Sequence, residues 1–338
     1  MLSKGEHAMN MKEFNAQFPN EETCRQYLEQ MIWPSGRICP HCDGMKSWNL
    51  SSEGRRSGLY ECAACGKQFT VTTKTPLHST KLPLRTWLMA MYFMINSSKG
   101  ISSVFLAKWI GTSQKTAWKV GHAVRAIMAS QADAMPGLAG TVELDEKYLG
   151  GKPRYQKDVK HKRGRGTKKS CVFVAASRDG HVRASVVAND SYSEIAPQVN
   201  RFVDTTADLM SDQHTVYPKI AEDYASHASV NHGAKEFVNG DIHNNTAESF
   251  NAILERAKCG VFHSLSKQHL QRYVCEVVFR WNHREPAKEI PRNGFKKIIY
   301  KAKPILEQLR SLLRYAVGTQ LRRSFVGGIF IPRPAFRL

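Results

Sequence analysis

Long apolar runs are missing from this chain. The longest, Trp87-Leu88-Met89-Ala90-Met91-Tyr92-Phe93-Met94-Ile95, has nine residues, about half of the ~20 that a helix needs to cross a bilayer. It has the length of a buried core helix, so no membrane span is expected. Near the start, Lys4, Glu6 and His7 are not followed by an apolar stretch and a small-residue cleavage site, which argues against secretion and for the cytoplasm. Cysteine is sparse as well: eight in 338 residues cannot form a disulfide scaffold. Acidic residues are short relative to basic ones, with 29 Asp and Glu against 49 Lys and Arg, for a formal net charge of +20. That excess goes beyond what solubility asks for and points to a polyanionic partner, nucleic acid first and an anionic membrane surface second.

Four of the cysteines are spaced as metal ligands. Cys39-Pro-His-Cys42 is followed, after nineteen residues, by Cys62-Ala-Ala-Cys65. Two residues between cysteines let a tight turn aim both thiolates at one ion, and two such turns close a tetrahedral four-sulfur site. One structural Zn²⁺ is therefore expected on Cys39, Cys42, Cys62 and Cys65, with no open position for chemistry. Gly44 and Gly66 are expected to permit the tight backbone after each pair. Short strands at Trp48-Asn49-Leu50, Leu59-Tyr60-Glu61 and Gln68-Phe69-Thr70-Val71 would complete a zinc ribbon over residues 39–75. Residues 1–38 read as a helical lead-in, in which Cys24 is a small buried hydrophobe.

After the ribbon, Pro83 opens a helix to about Ile95. A second helix over residues 102–110, a turn at Gly111-Thr112 and a third helix from Ser113 to about Met128 have the layout of a helix-turn-helix within residues 82–130. In that arrangement Gln114, Lys115 and Lys119 face DNA; the competing reading is an ordinary helical hairpin. A linker at residues 133–140 leads to a change of texture. Residues 141–149 alternate as a half-buried strand does, and two further strands at 170–177 and 182–188 flank the hairpin signal Asp179-Gly180. A helix near 192–202, a strand near 207–210, a helix at 216–224 and a helix from Asn244 or Thr246 to Arg256 follow. This order implies an α/β fold whose mixed sheet carries helices on its faces.

Three acids sit where an active site could assemble: Asp145 on the first strand, Asp212 at the end of a later one and Glu248 near a helix start. Carboxylates gathered in one pocket repel, and hard divalent cations that prefer oxygen ligands resolve the repulsion. Two Mg²⁺ about 4 Å apart could then drive in-line attack on a phosphodiester.

The residues 142–152, Val-Glu-Leu-Asp-Glu-Lys-Tyr-Leu-Gly-Gly-Lys, the step Ser211-Asp212 and the residues 243–250, His-Asn-Asn-Thr-Ala-Glu-Ser-Phe, resemble the catalytic blocks of the bacterial insertion-sequence transposases that place a zinc ribbon before a DDE, ribonuclease-H-like core. Gly260-Val261-Phe262-His263 and the stretches 269–273 and 279–284 resemble their C-terminal signature. The resemblance implies a catalytic domain over residues 140–285 in which Asp145, Asp212 and Glu248 bind Mg²⁺, with Mn²⁺ as a substitute. It implies cleavage at terminal inverted repeats, joining of 3′ ends to target DNA, a nucleoid-associated location and a homo-oligomer that brings two ends together. Such families commonly carry Lys or Arg seven residues after the glutamate; here that position is Glu255, and Arg256 or Lys258 is expected to take over its phosphate contact.

Residues 150–169 contain nine Lys or Arg and one Asp. They read as a flexible basic loop suited to phosphate contact, with Lys152, Lys162, Arg163 and Arg165 as candidates. The tail, residues 286–338, is expected to be a basic extension with an amphipathic piece around 305–313, gripping DNA or a second protomer. Two other functions fit the same features: a DNA-binding regulator or decayed transposase without catalysis, and another ribonuclease-H-like nuclease such as a junction resolvase.

Overall fold

The structure is a computed structural model and describes residues 9–50, 57–151, 169–230, 242–292, 295–323 and 329–330. The chain divides into two compact units, residues 1–133 with 302–338, and residues 134–301.

The first unit begins with α1 (Met11–Gln17) and α2 (Glu21–Ile32), each opened by an asparagine whose side chain accepts from the first-turn amides. Such caps satisfy N–H groups that no helical carbonyl reaches. Phe14, Phe18, Cys24 and Leu28 are buried between these helices and their neighbours, and burial pushes the Cys24 thiol up to about 11. The ribbon follows as an antiparallel sheet of β1 (Ser47–Asn49), β2 (Tyr60–Cys62) and β3 (Gln68–Phe69). Its small core is aromatic: Trp33, at the end of α2, meets Tyr60 and Phe69 edge-on at centroid distances of 5.9 Å each.

Next come α3 (Leu84–Asn96), α4 (Ser103–Ile110) and α5 (Gln114–Asp133). The apolar run of α3 is core, with Trp87, Leu88, Ala90, Met91, Met94 and Ile95 all buried. Gly111 ends α4 in the left-handed conformation (φ 65°), the usual glycine stop, and Ser113 caps α5 through the Thr116 amide. The third helix runs five residues past the expected Met128.

Part of the C-terminal tail belongs to this first unit. Its amphipathic helix α10 (Ile305–Leu313) buries Ile305, Leu309, Leu312 and Leu313 in this first unit, against α2, α3 and α5. An apolar stripe this wide is covered within the chain itself.

The second unit is built on a five-stranded sheet. Its strands are β4 (Thr141–Leu149), β5 (Ser170–Ser177), β6 (Val182–Val187), β7 (Asp208–Asp212) and β8 (Ser226–Val230), in the spatial order β6-β5-β4-β7-β8. The first three form an antiparallel meander, whereas β7 and β8 add on in parallel. β4 is therefore central, as the ribonuclease-H-like reading requires. Alternation sends Val142 and Leu144 into a core with α6 (Tyr192–Phe202) and α7 (Tyr217–Ile220). The opposite face meets α8 (Asn245–Ala257) and α9 (Lys267–Asn282), where Leu270, Val274, Val277, Val278 and Trp281 are buried as their spacing suggested.

Three features differ from expectation. The helix at 216–224 is one α-turn, α7, continued by a 3₁₀ turn at Ala221–Asp223. The strand β8 was not foreseen, because Ser-His-Ala-Ser-Val carries too few apolar residues to show a period. The strands β9 (Arg284–Arg292) and β10 (Phe295–Ala302) form a separate two-stranded sheet in what read as tail.

Candidate metal centre and catalytic face

The four cysteine sulfurs lie within 4.8 Å of one another. Cys39 Sγ is 3.8 Å from Cys65 Sγ, and Cys42 Sγ is 3.5 Å from Cys62 Sγ. A tetrahedral zinc site with Zn–S bonds of about 2.3 Å has S···S edges of about 3.8 Å, so the set fits the ion. The two turns repeat one hydrogen-bond pattern: Asp43 N donates to Cys39 O and Gly66 N to Cys62 O, both at 2.9 Å. The left-handed position follows the second cysteine of each pair, at Asp43 (φ 60°) and Gly66 (φ 64°). Gly44 is thus not the turn residue. It is small because a Cβ there would come within 3.2 Å of Cys62 Sγ and 3.4 Å of Cys42 Sγ. Within this set of interacting thiols, a backbone N–H donated by Cys65 helps hold Cys62 down to about 7, while burial pushes Cys39 up.

In the second unit, the parallel ladder of β4 and β7 pairs Thr141, Val142 and Glu143 with Asp208, Leu209 and Met210. Continued by two residues, the same register sets Asp145 opposite Asp212, the last residue of β7, on the α8 side of the sheet. The ladder stops short of them, and the Leu144 carbonyl accepts instead from Asn244 Nδ2 at 2.9 Å.

Glu143 brings α8 to this place. Its carboxylate is fully buried and accepts from the backbone N–H groups of Thr246 (2.6 Å) and Ala247 (3.1 Å) and from the Thr246 hydroxyl (3.1 Å). Arg178 Nε, on the β5–β6 turn, donates to Glu143 Oε1 at 2.9 Å, and His243 Nδ1 lies 3.2 Å from the same oxygen. A carboxylate from the central strand thus caps the helix that carries Glu248, and Asn244, the expected starter, binds β4 rather than its own first turn. Farther along α8, Asn251 Nδ2 donates to Asp145 Oδ2 at 2.7 Å, while Asp145 Oδ1 accepts from the Glu146 amide at 2.9 Å.

Burial pushes Asp145 up to about 6 against these two hydrogen bonds, and the charges of Asp212 and Glu248 push the same way. The three acids named from the sequence therefore share one electrostatic environment. They are not drawn to ligand spacing: among the described residues, the cysteines are the one set of three or more metal-ligating side chains gathered within 4.8 Å. Sequence reasoning assigned nothing to Glu146, which points to the other face and bonds the buried Tyr217 hydroxyl. Desolvation, with Asp145 and Asp212 nearby, lifts it to about 8. His214 was also missed; its amide donates to Asp212 Oδ1 at 3.1 Å, and its Nε2 lies 3.3 Å from Asp190 Oδ2. Buried strand acids next to an Asp were the available signal for Glu143 and Glu146.

The basic candidates fall in different places. Gln114, Lys115 and Lys119 are exposed on the first turns of α5, and Gln114 Nε2 donates to Ser103 Oγ at 2.8 Å. Arg256 is exposed and donates to Ala252 O in its own helix, whereas Lys258 Nζ pairs with Glu255 Oε1 at 2.8 Å. Lys152, Lys162, Arg163 and Arg165 lie outside the described residues.

Comparison with known proteins agrees with this architecture. Residues 19–68 match the transposase zinc-ribbon domain, and residues 137–282 match the ISXO2-like transposase domain. A protein of Halobacterium salinarum described as an uncharacterized protein in transposable element ISH50 is 32% identical over 288 residues, covering 80% of this chain and 95% of that protein. The chain belongs to the ISXO2-like transposase family. This relative is archaeal, so it gives the bacterial origin implied by the resemblance no support. No helix among the described residues is long and apolar enough to cross a membrane.

Two outcomes are expected. Gly44→Ala crowds two of the sulfurs and should weaken Zn²⁺ binding about tenfold in competition with a chromogenic chelator, by analogy with other changes next to metal ligands; unchanged affinity contradicts this role for Gly44. Because the folded-state pKa of Asp145 is raised, stability linked to this carboxyl is fully present below about pH 4 and is lost as the pH rises to about 6. Metal-free Asp145→Asn should therefore gain roughly 1–3 kcal/mol over the parent protein at pH 7.5, with the gap closing near pH 4. A gap that does not change with pH in thermal melts would contradict that environment.

Proposed function

We propose that the chain is a metal-dependent DNA transposase that binds the terminal inverted repeats of an insertion sequence, cleaves at the element ends and joins the freed 3′ ends to target DNA. The observation that carries this reading is the position of Asp145 on the central strand, opposite Asp212 in the β4–β7 register and on the face covered by the helix that carries Glu248, where burial first and then the charges of those two acids push its carboxyl up. Acids arranged so that each charge opposes the next fit divalent cations, because oxygen is the donor that Mg²⁺ or Mn²⁺ prefers. The buried Asn251 Oδ1, without a hydrogen-bond partner among the described residues, is a further oxygen beside them. When bound, Mg²⁺ would supply an activated water or 3′-hydroxyl and stabilise the departing oxygen.

The chain's own residues provide the frame. Glu143 and Asn244 hold the start of α8, Asn251 orients Asp145, and the turn through His214 holds Asp212. Lys115 and Lys119, exposed on the first turns of α5, would meet DNA, as would the basic residues 150–169 that come soon after Asp145 in sequence. Two element ends must be held together for joining, which calls for a homo-oligomer acting on double-stranded DNA.

The test is incubation of the full zinc-loaded chain with Mg²⁺ and DNA carrying the sequences that flank its gene. Cleavage at the element ends is expected, lowered by at least about 10³-fold in Asp212→Asn. Absence of cleavage would leave a DNA-binding protein without this chemistry, and activity unaffected by that substitution would remove Asp212, and with it the acid trio, from the reaction.

A further inference from the structure

The strand β4 and the helix α8 run side by side with matched repeats. Alternate strand residues are about 6.7 Å apart, and four helical residues rise about 6 Å. The contacts follow that match. Glu143 meets Thr246 and Ala247, and Asp145 meets Asn251. One step farther, the strand offers Lys147 and the helix Glu255, four residues after Asn251. Against burial, the Glu255 carboxyl is held down mainly by its bonds from Lys258 and Cys259 and by the Lys258 charge, and least by the charge of Lys147, which is near enough to act on it.

Charge at this third rung does not balance. Lys258 Nζ is bonded to Glu255 Oε1 at 2.8 Å, with 15% of its side chain exposed. Glu255 is thus neutralised by a cation on its own helix. Lys147 is half-buried, and no carboxylate lies within ion-pair distance of it among the described residues. The rung holds two cations and one anion, and the surplus belongs to Lys147. A half-buried ammonium without a full partner, one strand step from a cluster of acids, is suited to an anion brought from outside. The acids exclude most anions from this face; a phosphodiester chain, delivered by many contacts elsewhere, is one that can reach it.

We propose that Lys147 contacts a backbone phosphate of the DNA strand, next to the phosphodiester presented to Asp145, with Glu255 and Lys258 fixing its position. This rests on the nucleic-acid reading above but not on cleavage.

The experiment measures binding of the full zinc-loaded chain to a fluorescent 30-bp duplex of arbitrary sequence, with Ca²⁺ in place of Mg²⁺, across a range of KCl concentrations. A phosphate contact is independent of sequence, so its loss shows in the salt dependence. Lys147→Gln should lower the slope of log K against log salt by about 0.9, and Lys147→Arg should keep it. Lys219→Gln removes the same charge from the exposed surface of α7, on the other face of the sheet, and should leave the slope alone. An unchanged slope in Lys147→Gln, or an equal drop in Lys219→Gln, would overturn the proposal. If Lys147→Gln folds poorly, lysine-reactive footprinting of the parent protein decides: protection of Lys147 by the duplex supports the contact, and equal modification with and without DNA refutes it. The slope and cleavage results separate the two claims. Loss of slope without Mg²⁺-dependent cleavage in the parent protein would retain the contact and reject the transposase reading; intact cleavage with unchanged slope would do the reverse.

Discussion

The candidate catalytic face depends on a buried carboxylate whose charge is used for construction. Glu143 has no exposure, and an isolated ion in such a place is costly. It is tolerated because Arg178 and the first amides of α8 surround it, so that strand, hairpin turn and helix each give up a polar group to one oxygen pair. The amides at a helix start are unsatisfied by the helix itself and carry its positive end, which makes them natural partners for an anion. The result is directional. The helix can begin only where Glu143 reaches it, and Glu248 sits in its first turn.

From that anchor the remaining geometry follows by repeat distances. Asn251, one turn beyond Glu248, lands on Asp145, and Asp145 is two strand residues beyond Glu143. The parallel register with β7 then sets Asp212 across from it. The two kinds of candidate metal site contrast. The cysteine ligands gather on two turns with the same hydrogen bonds, in a ribbon too small to bury a large core, so metal binding there contributes folding free energy. The acids are placed by a large sheet that is stable on its own terms, and their mutual repulsion is a cost the core can bear.

Much of this was legible in the sequence, and for identifiable reasons. The cysteine spacing needs no tertiary information, because each pair closes a local turn. The meander β4–β6 shows itself through apolar alternation and Asp179-Gly180, whose glycine takes φ 105°. What stayed hidden was decided at long range. Asn244 looks like a helix cap, but Glu143, a hundred positions earlier, does the capping. Gly44 looks like a turn glycine, yet Asp43 takes the left-handed conformation and Gly44 gives room to sulfur. β8 hid in a polar segment because an edge strand next to β7 needs few apolar residues. The tail read as a basic extension because its Lys and Arg far outnumber its acids, although the stripe of α10 lies in a core.

The central claim, that Glu143 fixes α8 and with it the acid trio, is tested most directly by amide hydrogen exchange in Glu143→Ala. The account predicts that Thr246 and Ala247 lose protection together with Asn251, and that the fold loses roughly 1–3 kcal/mol as the half-buried Arg178 and the first amides of α8 lose the carboxylate they share. If the first turn of α8 exchanges as slowly in the variant as in the parent protein, the helix is held by its apolar face alone and the account is wrong.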